Sequence, residues 1–548
     1  MVKKRFDGWL IVSVLLLVLF IAVLIYPMFG VIKQAVIMPD GSFSWEQFHK
    51  FFSNSYYVDT IYNSFKITIF VTVLTLVIGI PFAYFYAFYR LKGAKILFVV
   101  SILCCMSAPF LGAYSWVMLL GRSGVITKFF KTALGITLPS IYGFGGIALS
   151  QTLKFFPLVF IYMNGAFKSI DNTLMEASAN MGCTGVKRLF NIVLHLTMPT
   201  ILAATLMVFM QAFADFGTPT ILGEGFKTFP VLLYNEYLGE NGANFAAALA
   251  IIAVIVTAVI FFLQKWATGR FKFSINTLHP VEKKDAKGLG GFLMHLYCYL
   301  LCAIAILPQI YIIYLSFRNS KGSLFGVGYS LVHYQSALRK KLVLASSNTL
   351  VMGIIALAVI IVIAVVLAYL VVRRNNALNH SLDTIAMLPY IMPGAVIGIA
   401  LLIAYGSKPI ALTGTMAIMI MSFAIRRMPY TIRSATATLM QIPISIEEAA
   451  ISLGASKLKT FVKITVPMMS NGILSGAILS WVAIVTELSS SVILYSNKTT
   501  TLTMQAYIYI GRGEYGTAAA FAAILTVITA LSLFLYMAIS KSEDDIQL

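Results

Sequence analysis

Twelve apolar runs, each long enough to cross a hydrocarbon layer, recur along the sequence. The first six lie near residues 9–32, 64–89, 96–120, 143–166, 199–222 and 245–267. The second six lie near 292–316, 347–372, 384–406, 411–432, 470–495 and 516–540. A spanning helix needs about 20 such residues. Composition points the same way: 59% of the 548 residues are hydrophobic and 11% charged, with mean hydropathy +0.88. Soluble domains are roughly 45–50% apolar and about 25% charged. Polar surface is too scarce to cover a soluble particle of this size. Most soluble enzymes, nucleic-acid binders and disordered chains are therefore excluded. The expected fold class is an all-α polytopic membrane protein of about twelve transmembrane helices in a lipid bilayer. Lys154 and Arg426 interrupt the fourth and tenth runs.

The net charge of +20 comes from 40 Lys and Arg against 20 Asp and Glu. In a membrane protein the positive-inside rule accounts for such an excess before nucleic acid does. Lys3, Lys4 and Arg5 precede the first run. That run exceeds the roughly 7–15 residues of a signal-peptide core and lacks a small-residue cleavage site, so it reads as a retained span. With its basic start inside, the cytoplasmic segments collect 24 of the 40 cations. Both termini are then expected in the cytoplasm. The outer segments 122–131 and 318–341 are themselves basic, which orientation does not explain. Five cysteines, at 104, 105, 183, 298 and 302, show neither a disulfide framework nor metal spacing.

The chain is internally duplicated. Sliding LMEASANMG (174–182) onto IEEAAISLG (446–454) sets an offset of 272. At that offset Glu176 meets Glu448, Ala177 meets Ala449, Gly182 meets Gly454, Ile192 meets Ile464 and Pro157 meets Pro429. Asp215 meets Glu487, Thr228 meets Thr500, and Ala246–Ala248 meet Ala518–Ala520. Upstream, YNSFKITIF (62–70) and SNTLVMGII (347–355) both open a span with Asn at a different offset. The change implies roughly a dozen extra residues in the first half, around 122–139. The expected organisation is a first half at 1–268, a basic cytoplasmic linker at 269–291 and a second half at 292–548. Six spans per half make the halves parallel repeats, whose interface can frame a pathway.

The repeated loops, near 171–199 and 443–467, fall on the cytoplasmic side. Each reads Glu-Ala-small-x-x-x-Gly, then a basic amphipathic stretch. Small side chains admit a close surface. Gly permits a turn that Cβ resists, and an acid suits a helix N-terminus. An isolated copy would be an ordinary helix end; two copies at equivalent places in a twelve-span chain are not. These loops resemble the EAA motif of ABC importer permeases, E-A-A-x-x-x-G, nine residues, then I-x-L-P. The second copy has Glu448, Ala449, Ala450, Gly454, Ile464 and Pro467, with Val466 for the usual Leu. The first has Glu176, Ala177 and Gly182, with Ser178 for the second Ala and His195 where Pro is usual. The resemblance covers the whole chain, as a type I permease with both halves fused. It implies that the loops are coupling helices seated in a cytoplasmic ATPase. No G-x-x-x-x-G-K-[ST] occurs, so no phosphate loop belongs to this chain. No cofactor is expected here; two ABC ATPase subunits would bind ATP and Mg, and an extracytoplasmic solute-binding protein would deliver substrate. The location implied is the cytoplasmic membrane of a prokaryote. The chain is then a transport subunit and not an enzyme, with neither catalytic nor metal-ligating residues expected.

Four ionisable residues inside the spans stand at equivalent positions: Lys154 with Arg426, and Asp215 with Glu487. Such groups usually face a cavity or a partner. Either they line the path between the halves, or Lys154–Asp215 and Arg426–Glu487 pair within each half. The stretch ADFGTPTILGEGFKTFP (214–230) in a fused twelve-span chain resembles permeases of the ferric-iron group. This favours iron(III) as cargo, with thiamine, aminoethylphosphonate or sugar phosphate as alternatives. An ion-coupled secondary transporter is the alternative class, and it would not need matched loops.

Overall fold

The computed structural model describes residues 8–38, 40–239, 242–270, 282–322 and 324–539. Lys3, Lys4, Arg5 and Lys541, and residues 271–281 of the expected linker, lie outside the described residues. The fold is helical almost throughout. Its named strands are short: Tyr89–Arg90 pairs in parallel with Lys284–Asp285, and Arg318–Lys321 pairs antiparallel with Leu324–Tyr329.

Among the described residues, seven helices are each long and apolar enough to cross a membrane: Gly8–Val36, Ser55–Phe88, Phe144–Lys168, Gly242–Leu263, Gly288–Phe317, Leu342–Arg373 and Tyr515–Leu535. Four further runs are broken and sharply bent. In the third and ninth spans the bends are 100° after Cys105 and 112° after Ile391. In the fifth and eleventh they are 74° between Leu196 and Met198 and 67° between Met468 and Ser470. The tenth expected span is the helix Met416–Gln441. It has the length, but Arg426, Arg427 and Arg433 make it more highly charged than the seven continuous helices. The helix runs on past the expected span end near residue 432 to Gln441, so these three arginines lie on one continuous helix and not in a loop.

The duplication is visible helix by helix. Asn172–Asn180, Gly185–Arg188 and Met198–Phe213 recur as Ile444–Ser452, Lys457–Thr460 and Ser470–Val485, each displaced by 272. Upstream, Pro109–Leu120 recurs as Gly394–Tyr405, displaced by 285. The offset changes because 121–143 in the first half corresponds to the shorter 406–415 in the second. The surplus contains an extra helix, Val125–Ala133.

The halves exchange their first spans. The first span packs on Ala377–Ile391 and Gly394–Tyr405 of the second half, and Gly288–Phe317 packs on Ala94–Cys105 and Pro109–Leu120 of the first. Polar contacts fix the exchange. The Tyr405 hydroxyl donates to the Ala22 carbonyl at 2.7 Å, and the Tyr297 hydroxyl to that of Ile78 at 2.7 Å. Consequently Phe20 and Leu24 are buried in the second half's apolar core.

Candidate site at the loops and between the halves

Both loops fold as helix, left-handed glycine, helix. Asn172–Asn180 is capped by Asp171, whose carboxylate accepts from Thr173 N at 2.9 Å. After Met181, Gly182 takes φ +76°; its N–H donates to Ala179 O at 2.9 Å, and Cys183 N to Ser178 O at 2.9 Å. The second loop repeats this with Gly454 at φ +90°, Gly454 N to Ile451 O at 2.9 Å and Ala455 N to Ala450 O at 3.0 Å. This paired closure is a Schellman motif, which favours Gly because its conformation penalises Cβ. Five residues of π-helix follow the turn in each half, Leu189–Val193 and Phe461–Thr465. Insertions of this kind concentrate at functional sites.

Glu176 and Glu448 do not sit at their helix N-termini, as the sequence had suggested. Each is the fifth residue of its nine-residue helix. The N-terminal acids are instead Asp171 and Glu447. Glu176 accepts from Asn172 Nδ2 at 2.7 Å and is exposed, as is Glu448. Ala177 and Ala449 also face outward, whereas Ser178 and Ala450 pack on their own half. Beside them Met181 and Leu453, again 272 apart, are 86% and 89% exposed. Each loop thus presents a bare methyl and a long apolar side chain around an exposed acid.

Sequence reasoning missed how the loops are anchored. Arg373, at the end of the eighth span, donates to Glu447 Oε1 at 2.8 Å and to Ile442 O at 2.8 Å. Both side chains of that ion pair are under a tenth exposed. The first loop is held by Arg188, which donates to Met175 O at 3.4 Å. Position 175 is Met where 447 is Glu, so a search for repeated residues could not find this pair.

A cavity of about 930 Å³ lies between the halves. From the first half Lys154, Tyr162, Gln211 and Asp215 line it; from the second, Tyr390, Arg426, Arg427, Tyr430 and Glu487. It extends past Thr438, Gln441, Met468 and Asn471, toward the loop ends of the tenth and eleventh spans. On the opposite side the halves pack closed. Phe110 and Phe216 meet Tyr507 with ring centroids 6.3 and 6.2 Å apart, and the Tyr114 hydroxyl donates to Tyr515 O at 2.9 Å. Irregular backbone is tolerated at such depth where it lines a cavity.

All four expected intramembrane charges reach this cavity, but the two halves treat them differently. Glu487 pairs with Arg426 and also with Arg427. It further accepts from Ser490 N at 3.1 Å. Asp215 makes no ion pair among the described residues. Its oxygens accept from Gln151 Nε2 at 3.0 Å, Gly217 N at 3.0 Å and Thr218 N at 3.3 Å. Neither acid lies inside a continuous helix. Each follows the end of one, Phe213 or Val485, and accepts N–H groups that the break leaves free. Lys154 has no carboxylate within 4.0 Å among the described residues; its ammonium lies 5.2 Å from the Phe155 ring centre. The Lys154–Asp215 pair is therefore not formed, because the acid is already satisfied by backbone and amide donors. Arg427 had escaped notice because its repeat counterpart is Phe155; its adjacency to Arg426 in an apolar run was the available signal.

Residues 76–273 and 360–543 each match the family described as binding-protein-dependent transport system inner membrane component. The ferric transport system permease protein FbpB of Actinobacillus pleuropneumoniae is 30% identical over 543 residues, spanning 96% of this chain and 77% of the relative. The putative ferric transport system permease protein FbpB 1 of Haemophilus influenzae is 29% identical over 90% of this chain and 79% of its own length. A putative 2-aminoethylphosphonate transport system permease protein of Salmonella typhimurium is 21% identical over 48% of this chain and 92% of its own. Among solved structures, a chain of a bacterial alginate ABC transporter bound to a periplasmic protein aligns with TM-score 0.42 and 20% identity. That alignment covers 50% of this chain and 96% of the other.

Proposed function

Because the chain belongs to the family of binding-protein-dependent transport system inner membrane components, we propose that the cavity between its halves is the path by which iron(III) enters the cell. The chain is the permease of an ABC importer. The observation that carries the cargo assignment is the 30% identity to a ferric transport permease along 96% of the sequence. Two ATPase subunits, one on each loop, would hold ATP and Mg and supply the energy. Glu176, Ala177 and Gly182, with Glu448, Ala449, Ala450 and Gly454, form the matched docking elements. A solute-binding protein would deliver iron at the opposite face. Both termini lie in the cytoplasm in this reading, and the linker near 269–291 lets one chain supply both halves.

Closure of the ATPase dimer would draw the loops together. Each loop continues through a bent segment into the fifth or eleventh span, so movement at Gly182 or Gly454 reaches the cavity wall at Gln211 or Val482. The closed aromatic seam at Tyr507 would part as the loop side shuts, giving two alternating states.

Uptake of radioactive iron tests the reading. Cells lacking the chain should lose most iron(III) accumulation under iron limitation, and a plasmid copy should restore it. Unchanged iron uptake, with lost uptake of thiamine or aminoethylphosphonate, would overturn the cargo assignment and keep the importer class.

A further inference from the structure

Resting on the translocation reading above, we infer that the cavity between the halves is an oxyanion site. Iron(III) then crosses it wrapped in anionic oxygen ligands, of the phosphate or polycarboxylate class, and not as a bare cation. The charges set this up. Lys154, Arg426 and Arg427 face two carboxylates, Asp215 and Glu487. Both carboxylates are spent: Glu487 on two guanidiniums and Ser490, Asp215 on two backbone N–H groups and Gln151. The Glu487 side chain is 1% exposed, against 12% for Arg426 and 16% for Arg427. The acid therefore lies behind the arginines, and the accessible wall is cationic. One donor remains unanswered there: among the described residues Lys154 has no carboxylate within 4.0 Å, its ammonium lying 5.2 Å from the Phe155 ring centre.

A hard trivalent cation needs several oxygen ligands at once. Among the described residues no three His, Cys, Asp or Glu side chains converge to supply them. A bare ion would meet three positive side chains and, among the described residues, no cluster of carboxylate, imidazole or thiolate ligands. An anionic complex brings its own oxygens, shields the metal, and offers acceptors to the Lys154 ammonium and the Arg427 fork, which suits oxyanions.

Equilibrium binding to the purified full chain in phosphatidylcholine nanodiscs tests this. The probes are radiolabelled ferric citrate, citrate and inorganic phosphate. Ferric citrate should bind saturably, be displaced by citrate and by phosphate, and weaken as sodium chloride rises. Lys154→Gln and Arg427→Gln should each weaken it by about ten- to a hundredfold, the range for one charge-assisted hydrogen bond. Lys154→Arg should stay near the unaltered chain, which keeps the test decisive if the neutral variants fail to elute as monodisperse protein. Absence of saturable anion binding to the unaltered chain would overturn the inference. So would a visible phenolate-to-iron charge-transfer band on adding iron(III), since Tyr162, Tyr390 or Tyr430 would then be ligating the metal directly. Loss of probe binding when phosphatidylglycerol replaces phosphatidylcholine would assign the site to a lipid headgroup and overturn it too. Chain-dependent iron uptake without anion binding sinks this inference alone; iron uptake independent of the chain sinks the function it rests on.

Discussion

The two halves keep one backbone and place different chemistry on it. In the first, Asp215 rests on Gln151 and two free N–H groups while Lys154 stands apart. In the second, Glu487 holds two arginines. Helix ends, breaks and the left-handed Gly182 and Gly454 coincide at an offset of 272, yet at the break it is Glu487 and not Asp215 that, among the described residues, holds buried ion pairs. The lesson is that the break in the span is the inherited element. A carboxylate is needed at that break to receive orphan N–H groups, and the cations opposite are free to diverge. Removing the two acids is the hardest test of this distinction. Glu487→Gln leaves two buried guanidiniums without a counter-charge, which costs about 3–5 kcal/mol for a broken buried pair. Asp215→Asn keeps an oxygen for the backbone donors and should cost only about 1 kcal/mol. Thermal unfolding of both variants in the same detergent measures the gap. Equal losses would erase the difference between the halves.

The loops are the region where the halves stayed alike, so they should respond alike. A Cβ at Gly182 or Gly454 meets no atom within 4 Å. The penalty for Gly182→Val or Gly454→Val is therefore the left-handed backbone itself, about 1–2 kcal/mol. Each should lower iron uptake per ATP hydrolysed in the reconstituted importer, by similar factors. A loop that tolerated the change would not be a coupling element, and the proposed one-ATPase-per-loop symmetry would fail with it.

Much of this was legible because repetition filters noise. Glu176, Gly182, Glu448 and Gly454 were found by self-comparison, and the glycines occupy the left-handed turn that the spacing required. The same filter hid whatever broke the repeat. Arg427 opposite Phe155, and Glu447 opposite Met175, carry buried ion pairs that no internal match could reveal. Hydropathy failed differently. The run 199–222 reads as one span because a single acid, Asp215, does not interrupt its apolar flanks, whereas the chain breaks there and that carboxylate takes up the free N–H groups. The exchange of first spans between halves left no pattern at all, since an apolar stripe does not name its partner.

The smallest expected effect lies at the two asparagines that open the second and eighth spans. Asn348 donates to Lys498 O at 2.8 Å and to Thr500 O at 2.9 Å. Asn63 donates once, to Lys227 O at 3.2 Å. The adjoining hydroxyls, Thr349 and Ser64, accept from Leu502 N at 2.9 Å and Phe229 N at 2.8 Å. Both halves thus pin the segment after the broken span to the next helix's start, with one bond more in the second. At about 1 kcal/mol per net hydrogen bond, Asn348→Ala should destabilise more than Asn63→Ala by about that amount. Amide exchange at Leu502 and Phe229 reads the local effect directly. Protection should fall further at Leu502, since its loop loses two tethers; a larger loss at Phe229 would mean that the first half, with its extra helix Val125–Ala133, relies on this clamp more than its geometry indicates.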